Sequence, residues 1–190
     1  MGLEGNLVLL REHKPEDLPF FRQWRNIMIT QAWSKALPPH YTDKMYEKRE
    51  EERMFEYDPK EGHFSIVDKE TEHLIGLTIY NDLKPRHSAN IGLIIGNRDF
   101  WGKGHAYDAQ EVLLDFLFCE LGVRVIRLWT NSWNIRAIRL AEKSGFQQSV
   151  RIKEGACLHG ILADNIMMDL LDNEFFDRHP EKKSPYESKI

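Results

Sequence analysis

The segment Ile94-Ile95-Gly96-Asn97-Arg98-Asp99-Phe100-Trp101-Gly102-Lys103-Gly104-His105-Ala106 holds the residue types most suited to chemistry. An apolar run enters a glycine-rich turn, and the turn opens onto a helical pattern. At a helix start the first N–H groups have no partner inside the helix and point outward. The macrodipole adds partial positive charge there, so an anion such as a pyrophosphate is favoured. Glycines let the backbone approach such a ligand closely. A plain tight turn would use the same glycines. The segment is not the phosphate loop of nucleoside triphosphatases, because no Gly-Lys-Ser/Thr follows. Nor is it the dinucleotide fingerprint, since Tyr107 stands in place of the last glycine.

The elements that must position this turn follow from periodicity. Residues 105–121 show helical spacing, with Ala109, Val112, Leu113, Phe116, Leu117 and Leu121 on one stripe and Gly122 as the stop. Residues 90–95 before the turn and 125–130 after the helix read as strands. Residues 134–144 read as a helix, with Asn134 as a candidate cap and Gly145 as its stop. Upstream, 7–12, 63–68 and 74–80 read as strands. A helix starts near Pro15, and another covers 42–57. GFQQSVRI and ADNIMMDL close the order as two strands. The pattern β-α-α-β-β-β-α-β-α-β-β predicts an α/β fold, a mixed sheet with helices on both faces. One domain is expected over 1–174, with 175–190 as a polar tail.

Composition narrows the function. The chain has 190 residues, 42% hydrophobic and 29% charged, which is a globular balance. A net charge of −4 gives no support to a nucleic-acid partner. No apolar run approaches the ~20 residues of a membrane span, and the N-terminus does not read as a secretory signal. Cys119 and Cys157 form no pair-spaced metal motif, so no metal is expected, and a reducing cytoplasm is the simplest location. The oligomeric state, a homodimer included, is left open.

At the glycine turn the sequence resembles the GCN5-related N-acetyltransferases, in particular the branch of ribosomal-protein N-terminal and spermidine acetyltransferases. The resemblance covers roughly 7–172. The family loop Gln/Arg-x-x-Gly-x-Gly/Ala reads here as Trp101 to Ala106. A second signature runs from Asn134 and Ala137 to Lys143, Ser144, Gly145 and Phe146. The resemblance implies acetyl-CoA as co-substrate and an amine as acceptor: a small-molecule amine, a polyamine or a protein N-terminus. It implies splayed parallel strands at 90–95 and 125–130. The pyrophosphate would sit on the amides of Gly102, Lys103, Gly104, His105 and Ala106. The pantetheine would follow Ile94 and Ile95 and meet Asn134, with Trp101 and Ala137 completing the set. The amine would attack the thioester directly, aided by orientation and proton transfer.

Two positions depart from the family pattern. Relatives often carry Glu in a string like Ala-Glu-Ile-Gly, but here it is Ala89-Asn90-Ile91-Gly92. They often carry Tyr in a string like Leu-Tyr-Glu-Lys, but here it is Leu140-Ala141-Glu142-Lys143. Asn cannot take a proton and Ala cannot give one. Asp82, His87, Asp108 and Ser144 are the substitutes the sequence offers, each with a bland structural role as its alternative. A non-catalytic CoA-binding relative, or an enzyme for another acyl-CoA, is the competing expectation. Residues 42–61 are rich in acid (eight Asp/Glu against five Lys/Arg), which would suit a cationic acceptor if it faced the cleft.

Overall fold

The computed structural model describes residues 2–26, 58–158 and 161–186. The strands are β1 (Leu3–Glu4), β2 (Val8–Glu12), β3 (Gly62–Asp68), β4 (Leu74–Lys84), β5 (Ser88–Ile95), β6 (Val125–Asn131), β7 (Gln147–Leu158) and β8 (Ile161–Leu171). The helices are α1 (Leu18–Asn26), α2 (His105–Asp115), α3 (Ile135–Lys143) and α4 (Asp172–Arg178). The strands form one mixed sheet in the order β1-β2-β3-β4-β5-β6-β8-β7. Among the described residues, β5 and β6 are the one parallel pair, because α2 carries the chain back between them. The helix expected over 42–57 lies outside the described residues.

Strand alternation sorts the two faces. Leu10, Ile66, Ile91, Ile126, Met168 and Leu170 bury against α2 and α4 in the main core. On the other face Leu77 packs with Phe21 and Trp24 of α1, and Ile79 lies against them. Trp24 explains a glycine here. A Cβ at Gly96 would come within 1.9 Å of the Trp24 ring, so α1 can close over the end of β5 only if residue 96 has no side chain.

The order of elements agrees with the sequence pattern, and three details differ. The 3–4 strand was not expected; it pairs with β2 through Leu3 and Leu10. The 105–121 helix changes winding, so that Phe116–Glu120 form a π-helical turn before Gly122. The expected tail from residue 175 is not a free tail. Phe175 is 1% exposed and stacks on Phe118 at 4.8 Å, within helix α4. The apolar pair Phe175-Phe176 sits inside a polar run, and it anchors what composition alone makes look solvated. Beyond it, Lys182 pairs with Asp115 at 2.8 Å and the Tyr186 hydroxyl donates to the Gly122 carbonyl.

Candidate active site

β5 and β6 pair from Ser88↔Val125 to Ile91↔Leu128 and then stop. β5 nevertheless runs on to Ile95 and β6 to Asn131. Each remains paired on its outer side, β5 to β4 and β6 to β8. Two facing backbone edges are thus left without a ladder between them. A gap of this kind can accept an extended, amide-bearing chain as an added strand.

The glycine turn stands at the mouth of this gap. Gly102 and Gly104 adopt φ of +73° and +93°, the left-handed region that glycine tolerates best. Nothing lies within 4 Å of where a Gly102 Cβ would be, so that side of the loop is open. Gly104 is the N-cap of α2. Among the described residues, the amides of residues 102–106 donate to no partner. These are the orphan donors that a phosphate or similar anion can satisfy.

Four contacts hold the loop. The Trp101 indole N–H donates to the Ile95 carbonyl at 2.7 Å, folding the turn back onto β5. Arg136 of α3 lies 4.8 Å from the Trp101 ring, and Arg98 lies 5.6 Å from it. The second sequence signature is therefore in direct contact with the first. The His105 imidazole is buried and bonds the Asp68 carboxylate of β3 at 2.9 Å. Burial would push the Asp68 carboxyl up. The hydroxyl and amide of Thr71 and the His105 imidazole outweigh it and hold the pKa below the usual carboxylate value. His105 thus has two separable parts: a backbone amide at the helix start, and a side chain that fixes that start to the sheet.

Asn134 caps α3: its side-chain oxygen accepts from the Ala137 amide at 3.2 Å. Its Nδ2 has no hydrogen-bond partner among the described residues, and the residue stands three positions beyond Asn131, the end of β6 that no longer pairs with β5, with its amide donating to the Asn131 carbonyl. Ala137 is half-buried in the first turn behind it.

The four proton-transfer substitutes do not come together. Asp108 accepts from the amides of Asn6, Leu7 and Val8 at 3.0, 2.7 and 3.0 Å. Its oxygens join α2 to the start of β2. Ser144 is buried at the far end of α3 from Asn134. Asp82 and His87 are exposed around the β4–β5 hairpin, where Lys84 pairs with Ser88. That hairpin is at the opposite end of β5 from Ile95, about 23 Å along the strand at ~3.3 Å per residue. Ala141, in place of the family tyrosine, is fully buried core.

Sequence reasoning passed over other groups. Asp68 was read only as a strand residue. Glu61 entered only as one of the acids of 42–61, and His13 and His63 were not singled out, although His63 and Asp68 lie on β3 at a spacing that places them on opposite faces. Only the register of β2 on β3 brings His13 to His63, with ring centroids 5.9 Å apart.

This architecture is that of an acetyltransferase. Residues 8–147 match the model of the acetyltransferase (GNAT) domain, and the chain belongs to that family. It is 33% identical over 115 residues to an uncharacterized N-acetyltransferase, p20, of Bacillus licheniformis. That match spans 60% of this chain and 64% of the relative, slightly less than two thirds of its length. It is 24% identical over 175 residues to a prophage-derived uncharacterized N-acetyltransferase, YokL, of Bacillus subtilis, covering 92% and 96% of the two chains. In fold it is similar to the spermidine N-acetyltransferase of Vibrio cholerae, solved with CoA and spermine. The TM-score is 0.80 at 24% identity, over 90% of this chain and 98% of that one. Among the described residues no helix is long and apolar enough to cross a membrane.

Proposed function

We infer that this chain transfers an acetyl group from acetyl-CoA directly to a primary amine. The single observation that carries this is the open gap between β5 and β6, placed beside the free amides of the α2 N-terminus. Free edge and free amides match the two halves of the co-substrate. The Gly92–Ile95 edge, with Ile94 and Ile95, would pair with pantetheine amides. The amides of Gly102, Lys103, Gly104, His105 and Ala106 would hold the pyrophosphate. Asn134 Nδ2 would bond the pantetheine from the β6 side, with Trp101 and Ala137 shaping the walls.

What the chain supplies to the reaction is orientation and electrostatics. Holding the thioester in the gap turns a two-molecule encounter into a local one. Backbone N–H groups along the free edge of β5 can stabilise the developing oxyanion. The departing sulfur needs little help, because a thiol of ordinary pKa near 8.5 is a fair leaving group. The absence of a tyrosine at Ala141 is therefore tolerable. The acceptor belongs with the primary amines that the spermidine and ribosomal-protein branch acylates, a polyamine or a peptide N-terminus among them.

Incubation with acetyl-CoA and a panel of primary amines, read by thiol release, tests the activity. Calorimetric titration with acetyl-CoA tests the binding. Binding without thiol release from any amine would make the chain a CoA-binding relative rather than an enzyme.

A further inference from the structure

We propose that His63, oriented by Glu61, is the proton acceptor for the incoming amine; the proposal rests on the acetyl-transfer reading above. The family's usual base position holds Asn90, which cannot accept a proton. Of the four substitutes visible in sequence, Asp108 is consumed by structure, Ser144 is buried at the far end of α3, and His87 lies at the hairpin turn. Asp82, though only one strand over and a few residues from Gly92, is exposed, with no group among the described residues that orients it. A base must therefore come from elsewhere on the acceptor side of the sheet.

Register identifies it. His63 pairs with Ile79, and Ile79 pairs with Gly92. These three residues form one row across β3, β4 and β5, and alternation directs them to the α1 face. Gly92 is the first residue of β5 beyond the last β5–β6 pair, where the gap opens. His63 is thus two strand spacings, about 9.5 Å, from the opening. The floor between them consists of Ile79 and a glycine, both partly exposed. An amine above Gly92 would reach the imidazole through about two waters, each hydrogen bond covering about 2.8 Å.

The imidazole has the geometry of an oriented base. Its Nε2 lies 3.0 Å from Glu61 Oε2, and the two side chains are 26% and 23% exposed. An ionised Glu61 only accepts, so Nε2 carries the hydrogen and Nδ1 keeps its lone pair. A carboxylate that fixes the tautomer and supports the imidazolium is a familiar device for a general base. Other charged groups facing this site among the described residues are His13 beside the ring and the Arg11–Asp17 pair beyond Ser65. At the Glu61 end, the Glu61 amide donates to the Asp58 carbonyl and the Leu83 amide to the Lys60 carbonyl.

The step balances as follows. A substrate ammonium gives one proton, along these waters, to His63 Nδ1. The freed amine forms a C–N bond to the thioester carbonyl carbon. The C–S bond breaks, and sulfur leaves with the electron pair. The second nitrogen proton reaches the thiolate through solvent, giving amide and thiol. The imidazolium then returns its proton to water.

The test compares wild type with His63→Gln and Glu61→Gln on the best amine of the panel. His63→Gln should lower kcat about 100-fold, the low end of general-base contributions. It should also abolish the acid limb of the pH–rate profile. Added imidazole should restore part of the rate. Glu61→Gln should lower kcat about tenfold with the limb retained. The acetyl-CoA Kd and the melting temperature should stay at wild-type values in both. A His63→Gln enzyme within threefold of wild type, with its acid limb intact, overturns the proposal. So does a loss that imidazole does not rescue and that comes with early melting. Failure of wild type to bind acetyl-CoA would instead overturn the reading on which this rests, so the two failures are distinguishable.

Discussion

Asp108 illustrates how one residue can look catalytic and be structural. Its type and its place in the first turn of α2 suit a base, yet three backbone amides of residues 6–8 saturate its oxygens. Removing the carboxylate leaves the buried Val8 amide unpaired, at about 1–3 kcal/mol, and frees the more exposed Asn6 and Leu7 amides to water at smaller cost. Asp108→Ala should therefore lose about 2–3 kcal/mol in denaturant unfolding, while kcat per folded molecule stays within twofold. A large fall in kcat at unchanged stability would return Asp108 to the chemistry. Gly102 is the converse case. Its Cβ would enter empty space, so only the left-handed backbone resists substitution, at about 1–2 kcal/mol. Gly102→Ala should fold and yet weaken acetyl-CoA binding at least tenfold in calorimetry, because the added methyl occupies the pyrophosphate's approach. Unchanged affinity would take the loop out of the site. Gly104→Val would be the harsher form, with Leu7 Cδ1 already 3.4 Å from the new Cβ.

Elements are joined here by buried carboxylates, which makes their attachment acid-sensitive. Asp17, just before α1, accepts from Arg11 of β2, Ser65 of β3 and the Lys14 amide. Burial would raise its pKa; Arg11, Ser65 and Lys14 outweigh it and hold it low. Asp68 does the same for β3 and α2. A carboxyl with a folded pKa below its unfolded value stabilises the fold above the unfolded value, near 3.9 for Asp. That contribution is lost as pH falls through the folded value. Unfolding free energy should thus fall steeply below about pH 4, and Asp17→Asn should flatten the fall. An equally steep fall in that variant would show that other groups dominate. The order of strands and helices was legible because its signals are local: period 2 in HFSIVD, period 3.6 in 105–121, caps at Asn134 and Gly145. The glycine turn and its outward amides were legible because glycine and helix-start chemistry are encoded in adjacent residues. What was not legible is everything that register decides. Arg136 on Trp101, Asp68 on His105 and His13 beside His63 join residues 35 to 50 apart, and no local period announces them.

At the scale of the whole molecule, the two ends of α2 have separate duties. Its N-terminus faces the glycine loop. Its other end, the π-helical turn, is gripped by the C-terminal segment through Phe175 on Phe118, Lys182 on Asp115, and Tyr186 on Gly122, with Arg124 against the Tyr186 ring. Residues 105–120 separate these ends by about 24 Å at 1.5 Å per residue. Stability and co-substrate binding should therefore be separable by mutation. Tyr186→Phe removes one hydroxyl donor and keeps the ring, at a cost of about 1 kcal/mol, or a Tm fall of about 2–4 °C for a chain this size. Phe175→Ala empties a fully buried aromatic site and should lose about 3–5 kcal/mol. Ending the chain after Arg178 removes both Lys182 and Tyr186 while sparing Phe175, and its Tm should fall between these two. All three variants should bind acetyl-CoA with the wild-type Kd at temperatures where they remain folded. Thermal melts and calorimetric titrations on the same samples read both properties. A Kd raised more than threefold in a folded variant would mean that the strap acts on the loop through α2, and that the helix transmits strain along its length rather than isolating its ends.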